Sequence, residues 1–199
     1  MILNEISKRK WSENIFKGGT ALRLAYSSPR FSDDLDFSIT GKLKARDIFK
    51  FTQDISDELG IDVVDAWEKR HTIICEFKIG EKALPQSFRL KVEISTRKTK
   101  PAYELKILKS EVSTLQVLMK TATLDYILEE KLMALKDRDE PRDIFDVWYI
   151  CKLKNLDFKE IISGKIPHRP DRRKIKQVLR KYLPINWYIA VDEKILSEI

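Results

Sequence analysis

Two carboxylates one residue apart, Asp34-Leu35-Asp36, lie a short distance downstream of the paired glycine in Gly18-Gly19-Thr20. On an extended chain side chains alternate between faces, so Asp34 and Asp36 share one face while Leu35 and Phe37 share the other. Two carboxylates on one face, backed by apolar residues, suit Mg²⁺, a hard cation that takes oxygen ligands. A glycine turn that opens a helix presents backbone N–H groups to a phosphate. Metal beside phosphate is the chemistry of phosphoryl or nucleotidyl transfer. Either fragment alone is commonplace in turns and strand edges. What joins them is their order: strand, glycine turn, short helix, loop, acid-bearing strand. The helix Thr20 to Tyr26 is ended by Ser27-Ser28-Pro29, so the chain folds back and the acids lie beside the turn.

Several elements must position these groups. Asn14-Ile15-Phe16 reads as the strand that enters the glycine turn, and Leu35 to Ile39 as the acid strand, broken by Thr40-Gly41. The stretch through Trp11 reads as a helix or arm. Ala45, Ile48, Phe49, Thr52, Ile55 and Leu59 recur at helical spacing, closed by Gly60. Ile61 to Trp67, Thr72 to Phe77 and Phe88 to Ser95 alternate as strands, with 80–87 as a hairpin loop. In the third of these Phe88, Leu90, Val92 and Ile94 take one face, and Arg89, Lys91, Glu93 and Ser95 the other. Residues 96–110 are polar and Lys-rich and read as a connection; Leu115 to Met119 read as one more strand. From Leu124 the period becomes helical, residues 136–141 form a turn, and Pro141 suits the start of a second helix through about Cys151.

Lys131 interrupts the apolar stripe of Leu124, Ile127, Leu128, Leu132 and Leu135. A lysine there is costly unless it is paired or its head reaches water. Either its ammonium holds triphosphate oxygens, or it snorkels at the edge of the stripe. Treated as unpaired, its removal is expected to leave the fold intact. Asp143 and Asp146 are neighbours on one helical face. Asp143, in the first turn, also offsets the helix dipole. Asp146, between Phe145 and Val147, faces a buried surface and needs a partner, with Lys131, Arg138 and Arg142 as candidates.

The run Gly18-Gly19-Thr20-Ala21-Leu22, followed by Arg30-Phe31-Ser32-Asp33-Asp34-Leu35-Asp36-Phe37, resembles the AbiEii/AbiGii group of nucleotidyltransferase-like toxins, in the DNA polymerase beta-type nucleotidyltransferase superfamily. A second segment, Glu130-Lys131-Leu132-Met133-Ala134-Leu135, then Arg138, then Pro141-Arg142-Asp143-Ile144-Phe145-Asp146, is similar to that group's Glu-Lys-Leu-x-Ala-Leu…Arg…Arg-Asp-x-x-Asp pattern. The two motifs, in the right order, cover roughly residues 15–150.

The resemblance implies an α/β (α+β) fold, a mixed sheet with flanking helices. The nucleotidyltransferase core would span 1–105, a mostly helical lobe 106–199, and the active site the cleft between them. It implies Asp34, Asp36 and Glu93 as ligands of Mg²⁺ or Mn²⁺, with Glu93 alternatively an ordinary partner of Lys91 or Arg89. Gly18, Gly19, Thr20 and Ser32 would meet the phosphates of a nucleoside triphosphate, and Lys131 its triphosphate. Arg142 and Asp143 would join the nucleotide site, with Asp143 or Asp146 fixing the lysine or the nucleotide. Asp34, Asp36, Lys131 and Asp146 would form the catalytic set. The implied reaction moves a nucleoside monophosphate onto a hydroxyl of RNA, tRNA first among the candidates, or of a protein. The implied biology is the toxin of a toxin–antitoxin pair with a cognate antitoxin protein. Two other readings are a catalytically silent RNA- or protein-binding module on the same fold, and a kinase-like phosphotransferase. The turn is Gly-Gly-Thr where the superfamily's commonest is Gly-Ser, and the chain is shorter than many relatives.

The chain has 199 residues, 43% of them hydrophobic, and a formal charge of +7, which favours acidic partners such as nucleic acid. The segment His168-Arg169-Pro170-Asp171-Arg172-Arg173-Lys174-Ile175-Lys176, extended by Arg180-Lys181-Tyr182 and followed by Trp187 and Tyr188, suits an RNA backbone with exposed bases. A solvated helix face accounts for it equally. Cys75 and Cys151 read as reduced, buried thiols. His71 and His168 lack partners at zinc-site spacing. Met1-Ile2-Leu3-Asn4-Glu5 has no apolar signal core, and no apolar run approaches the roughly 18–20 residues that span a bilayer. A cytoplasmic protein without a membrane partner is expected.

Overall fold

The computed structural model describes residues 1–8, 14–39, 44–80, 86–138, 140–165 and 171–198. Expectations for Trp11, Thr40-Gly41, most of the 80–87 loop, part of the 136–141 turn and His168-Arg169-Pro170 fall outside the described residues. The chain forms two compact units, Met1–Tyr26 with Asp33–Ala122, and Ser27–Ser32 with Thr123–Ile199.

The first unit contains α1 (Ile2–Lys8), β1 (Asn14–Lys17), α2 (Gly18–Tyr26), β2 (Asp34–Ile39), α3 (Ala45–Leu59), β3 (Asp62–Lys69), β4 (Thr72–Ile79), β5 (Phe88–Ser95), β6 (Tyr103–Ser110) and β7 (Ser113–Ala122). Its strands make one seven-stranded sheet in the order β3-β4-β5-β2-β1-β7-β6. The β2–β5 and β1–β7 pairs are parallel and the others antiparallel, so the sheet is mixed, as expected. Period-two alternation buries Leu35, Phe37 and Ile39 of β2, Ile73, Cys75 and Phe77 of β4, and Val92 and Ile94 of β5. Their opposite neighbours, Asp34, Asp36, Lys91 and Glu93, stay partly open to water. The Phe16 and Phe37 rings meet at 5.2 Å in this core. Helix α3 buries Ile48, Phe51, Thr52 and Ile55 and ends at Gly60, whose left-handed φ of 63° lets its N–H bond the Ser56 carbonyl.

The polar stretch expected as a connection instead supplies β6, paired antiparallel with β7. Strand β6 lies at the edge of the sheet, and Tyr103, Leu105 and Ile107 on one of its faces are exposed. A strand wet on that face, with Glu104 and Lys106 at alternate positions, carries a composition that reads as loop. The boundary expected after residue 105 falls inside this strand.

The second unit contains α4 (Leu124–Asp137), α5 (Pro141–Lys154), α6 (Phe158–Ile162) and α7 (Arg172–Tyr182), then short turns at Ile185–Trp187, Tyr188–Ala190, Val191–Ile195 and Leu196–Glu198. Side-chain caps start three of these helices: Thr123 for α4, Asp157 for α6 and Asp171 for α7. Pro141 opens α5, where a missing N–H costs nothing. The Phe145 ring packs with those of Trp148, Tyr149 and Trp187. The excursion Ser27–Ser32 is tied into this unit by the Phe31 N–H, which donates to the Tyr182 carbonyl at 2.7 Å. Among the described residues no helix is long and apolar enough to cross a membrane.

Candidate active site

Strand β1 runs into Gly18, whose φ of +75° lies in the left-handed region that glycine reaches without a Cβ clash. A Cβ on Gly18 would stand 2.2 Å from Asp36 Oδ2, so the Asp36 carboxylate packs directly on the glycine turn. The β1–β2 register sets Lys17 opposite Asp36. From the first turn of α2, the Thr20 hydroxyl donates to the Asp34 carbonyl and ties the helix to the acid strand. In the parallel β2–β5 pair, Asp34 faces Lys91 and Asp36 faces Glu93. Facing residues project to the same side of a sheet, so these four side chains share one face.

Lys91 sits among those acids. Its Nζ is 2.8 Å from Glu93 Oε1 and 3.8 Å from Asp34 Oδ1. The hydrogen bond with Glu93 raises the Lys91 pKa; burial opposes this, and the charges of Glu93, Asp34 and Asp36 add to it. The donor set suits a hard divalent cation: carboxylate oxygens on one face, with an ammonium already drawn among them. As the side chains stand, no group of three His, Cys, Asp or Glu is gathered to hold an ion among the described residues. Glu93 is turned to Lys91 instead. Ser32, expected to meet the phosphates, lies in the loop before β2 and belongs to the helical unit.

The second constellation is buried in the helical unit. Lys131 Nζ lies 2.7 Å from Asp143 Oδ1 and 2.7 Å from Asp146 Oδ2. Arg30 grips the same Asp146 through two parallel bonds, Nε to Oδ1 at 2.7 Å and Nη2 to Oδ2 at 2.8 Å. The Arg30 and Asp146 side chains are 3% and 0% exposed. Nη1 of Arg30 donates to the Phe31 carbonyl. Arg138 closes the other end, with Nε 2.9 Å from Asp143 Oδ2. Burial works against the Lys131 charge, yet Asp146 and Asp143 outweigh it and the lysine's pKa is raised. Burial likewise opposes the Asp146 charge, but Lys131 and Arg30 hold its pKa below the usual carboxylate range.

Lys131 is therefore neither unpaired nor snorkelling. It is the cation of a buried network, which corrects the expectation that its loss would spare the fold. Arg142 takes no part: its Nε bonds Glu140 at 3.2 Å and its guanidinium lies over the Tyr182 ring at 5.0 Å. On α7, Lys176 and Arg180 are committed to Asp192 at 2.7 and 3.1 Å, while Arg172 and Arg173 stand exposed.

The family model for the nucleotidyl transferase AbiEii toxin, of a type IV toxin–antitoxin system, matches residues 2–186. The chain belongs to this family. It is a nucleotidyltransferase of the toxin–antitoxin class, a family that works with nucleoside triphosphates and a divalent metal. No curated protein matches it. Among solved structures it is similar to JHP933 from Helicobacter pylori, at 20% identity and a TM-score of 0.63, over 98% of this chain and 86% of that one. A candidate nucleotidyltransferase from H. pylori is similar at 21% identity and a TM-score of 0.64, over 98% and 88%. At these identities the likeness speaks to the fold.

The motifs of this AbiEii chain thus fall into two groups, the glycine turn with its acid strand on the sheet, and the lysine with its two aspartates in the helical unit. The residue that sequence reading missed as a partner is Arg30. It stands inside the quoted motif, but its partner Asp146 is 116 residues away, and no local spacing marks the pair.

Proposed function

We propose that this chain transfers a nucleoside monophosphate from a nucleoside triphosphate to a hydroxyl of RNA, with tRNA as the first candidate, and that a cognate antitoxin restrains it. The observation that carries the reading is the sheet register: Asp36 beside Glu93, Asp34 in the same face, and the glycine turn pressed on Asp36. Asp34 and Asp36, with Glu93, would hold Mg²⁺ or Mn²⁺, which supplies charge neutralisation at the reacting phosphate. N–H groups of Gly18, Gly19 and Thr20 would receive phosphate oxygens, with Ser32 adding a hydroxyl. An ammonium has three donors. Asp143 and Asp146 take two from Lys131 and keep it charged; the third would go to the triphosphate. Arg142 would border the nucleotide. In the reaction the acceptor oxygen bonds the α-phosphorus, the bond to the β-phosphate oxygen breaks, and pyrophosphate leaves with the electron pair. Glu93 would take the hydroxyl proton.

The exposed Arg172 and Arg173 at the start of α7 support an RNA acceptor, because sequence-independent phosphate contacts are made by cations open to solvent. The test is incubation with each labelled nucleoside triphosphate and total RNA. Label on RNA, lost in Asp36→Asn, is the expected result. Label confined to protein would move the acceptor to a side chain. Transfer of the γ-phosphate to an acceptor, with the nucleoside diphosphate leaving, would make the chain a phosphotransferase.

A further inference from the structure

We infer that Lys91 is a tethered counter-cation of the acid face, which occupies Glu93 until a divalent ion displaces it. The inference rests on the assignment of Asp34, Asp36 and Glu93 as the metal site. Three carboxylates on adjacent strands repel one another, and the register leaves no spacing that would separate them. The chain supplies its own neutralising charge on the same face: Lys91, directly opposite Asp34 and two residues before Glu93. Its ammonium bonds Glu93 at 2.8 Å and lies within ion-pair reach of Asp34 at 3.8 Å. Arg89, the other basic residue on this face of β5, points to Glu76 instead, at 3.4 Å. Lys17 faces Asp36 from β1.

A metal ion and the Lys91 ammonium compete for the same oxygens. With Oε1 bonded to Lys91, Glu93 offers an ion only its other oxygen, so full engagement of Glu93 requires the flexible lysine stem to swing out. The side chains of Lys91 and Glu93 are about one-third exposed, 34% and 33%, so the swing disturbs no core packing. Lys91 thereby tunes affinity: it keeps the empty site stable and makes occupancy depend on ion supply. Glu93 is the ligand that is gained last.

The experiment is Mn²⁺ titration followed by the loss of the free-ion paramagnetic resonance signal, with no nucleotide present. Lys91→Met, which keeps the stem and removes the charge, should bind Mn²⁺ about tenfold more tightly, as expected for loss of a like charge some 4 Å away. Lys91→Arg should stay near wild type. Without metal, Lys91→Met should melt earlier than wild type, and saturating Mn²⁺ should raise its melting temperature by more than it raises that of wild type. Asp36→Asn separates the two levels of the reading. If it leaves Mn²⁺ binding unchanged, the metal site itself is misassigned. If it abolishes binding while Lys91→Met matches or falls below wild type, the site stands and the counter-cation role of Lys91 is overturned.

Discussion

The sheet unit and the helical unit each gather carboxylates around a lysine, and burial separates what the two clusters can do. Around Lys91, the acids Asp34 and Glu93 are about one-third exposed, so water shares the cost of every charge. Around Lys131, Asp146 is fully buried and Asp143 nearly so, and two arginines are needed to complete the balance. An exposed cluster exchanges partners readily, which an ion site requires. A buried one holds a single arrangement, because an uncompensated charge there is expensive. The same residue types therefore form an exchangeable cluster in one unit and a fixed one in the other.

The sharpest way to test this contrast is to remove one charge from each cluster. Asp36→Asn should lower transfer activity by roughly a thousandfold, the equivalent of a several-kcal/mol loss at the reacting phosphate, and leave the urea midpoint unchanged or slightly raised. Arg30→Met should do the reverse. It leaves the buried Asp146 with Lys131 as its remaining described cation and should cost about 3–5 kcal/mol in urea unfolding. Lys131→Met should destabilise with the same sign but by less, because Arg30 and Arg138 still face the two aspartates. If Lys131→Met raised the melting temperature, the buried network would carry no stability and the contrast would collapse.

Acidity probes the same difference. Asp146 has a depressed folded pKa, so its stabilisation is present above the ordinary carboxylate value of about 3.9 and is lost as pH falls through the lower folded value. Lys131 has a raised folded pKa, so its stabilisation is present below about 10.4 and is lost as pH rises through the higher folded value. The contribution of this network to stability should be flat between these limits. Arg30→Met, by removing one cause of the Asp146 depression, should move the acid unfolding midpoint to higher pH, as read by circular dichroism.

Gly18→Ala is a smaller perturbation on the exposed side. It forces a left-handed alanine at roughly 1–2 kcal/mol and pushes the Asp36 carboxylate off the turn. Activity should fall by more than the stability change accounts for, which a kinetic assay alongside urea unfolding separates. Smallest is the change at α7. Arg172→Ala, Arg173→Ala and Lys174→Ala together should weaken tRNA binding and flatten its salt dependence by somewhat less than one unit of slope per lost contact. Identical affinity and slope would make this helix face merely solvated.

The elements of the sheet were legible wherever one face is buried: β2, β4 and β5 announce themselves by alternation, and α3 by its 3.6-residue period and Gly60. Strand β6 was not, because its polar residues Glu104 and Lys106 mask the alternation, its apolar Tyr103, Leu105 and Ile107 face water rather than the core, and only its pairing with β7 reveals it. In the site, Asp34, Asp36 and the glycine turn were readable because local spacing decides which face they share. The state of Lys131 was not, since a stripe position says that a lysine is enclosed without saying what encloses it. Arg30 was unreadable for a related reason: its partner is reached only through the fold.

The pairing of Arg30 with Asp146 also has a history in time. The two residues are 116 positions apart. A ribosome adding about 5–20 residues per second delivers Asp146 roughly 6–23 s after Arg30. Throughout that interval the nascent chain holds its glycine turn and both strand aspartates but has no carboxylate to receive the guanidinium. A truncated product, whether from a broken message or a stalled ribosome, inherits the same deficit.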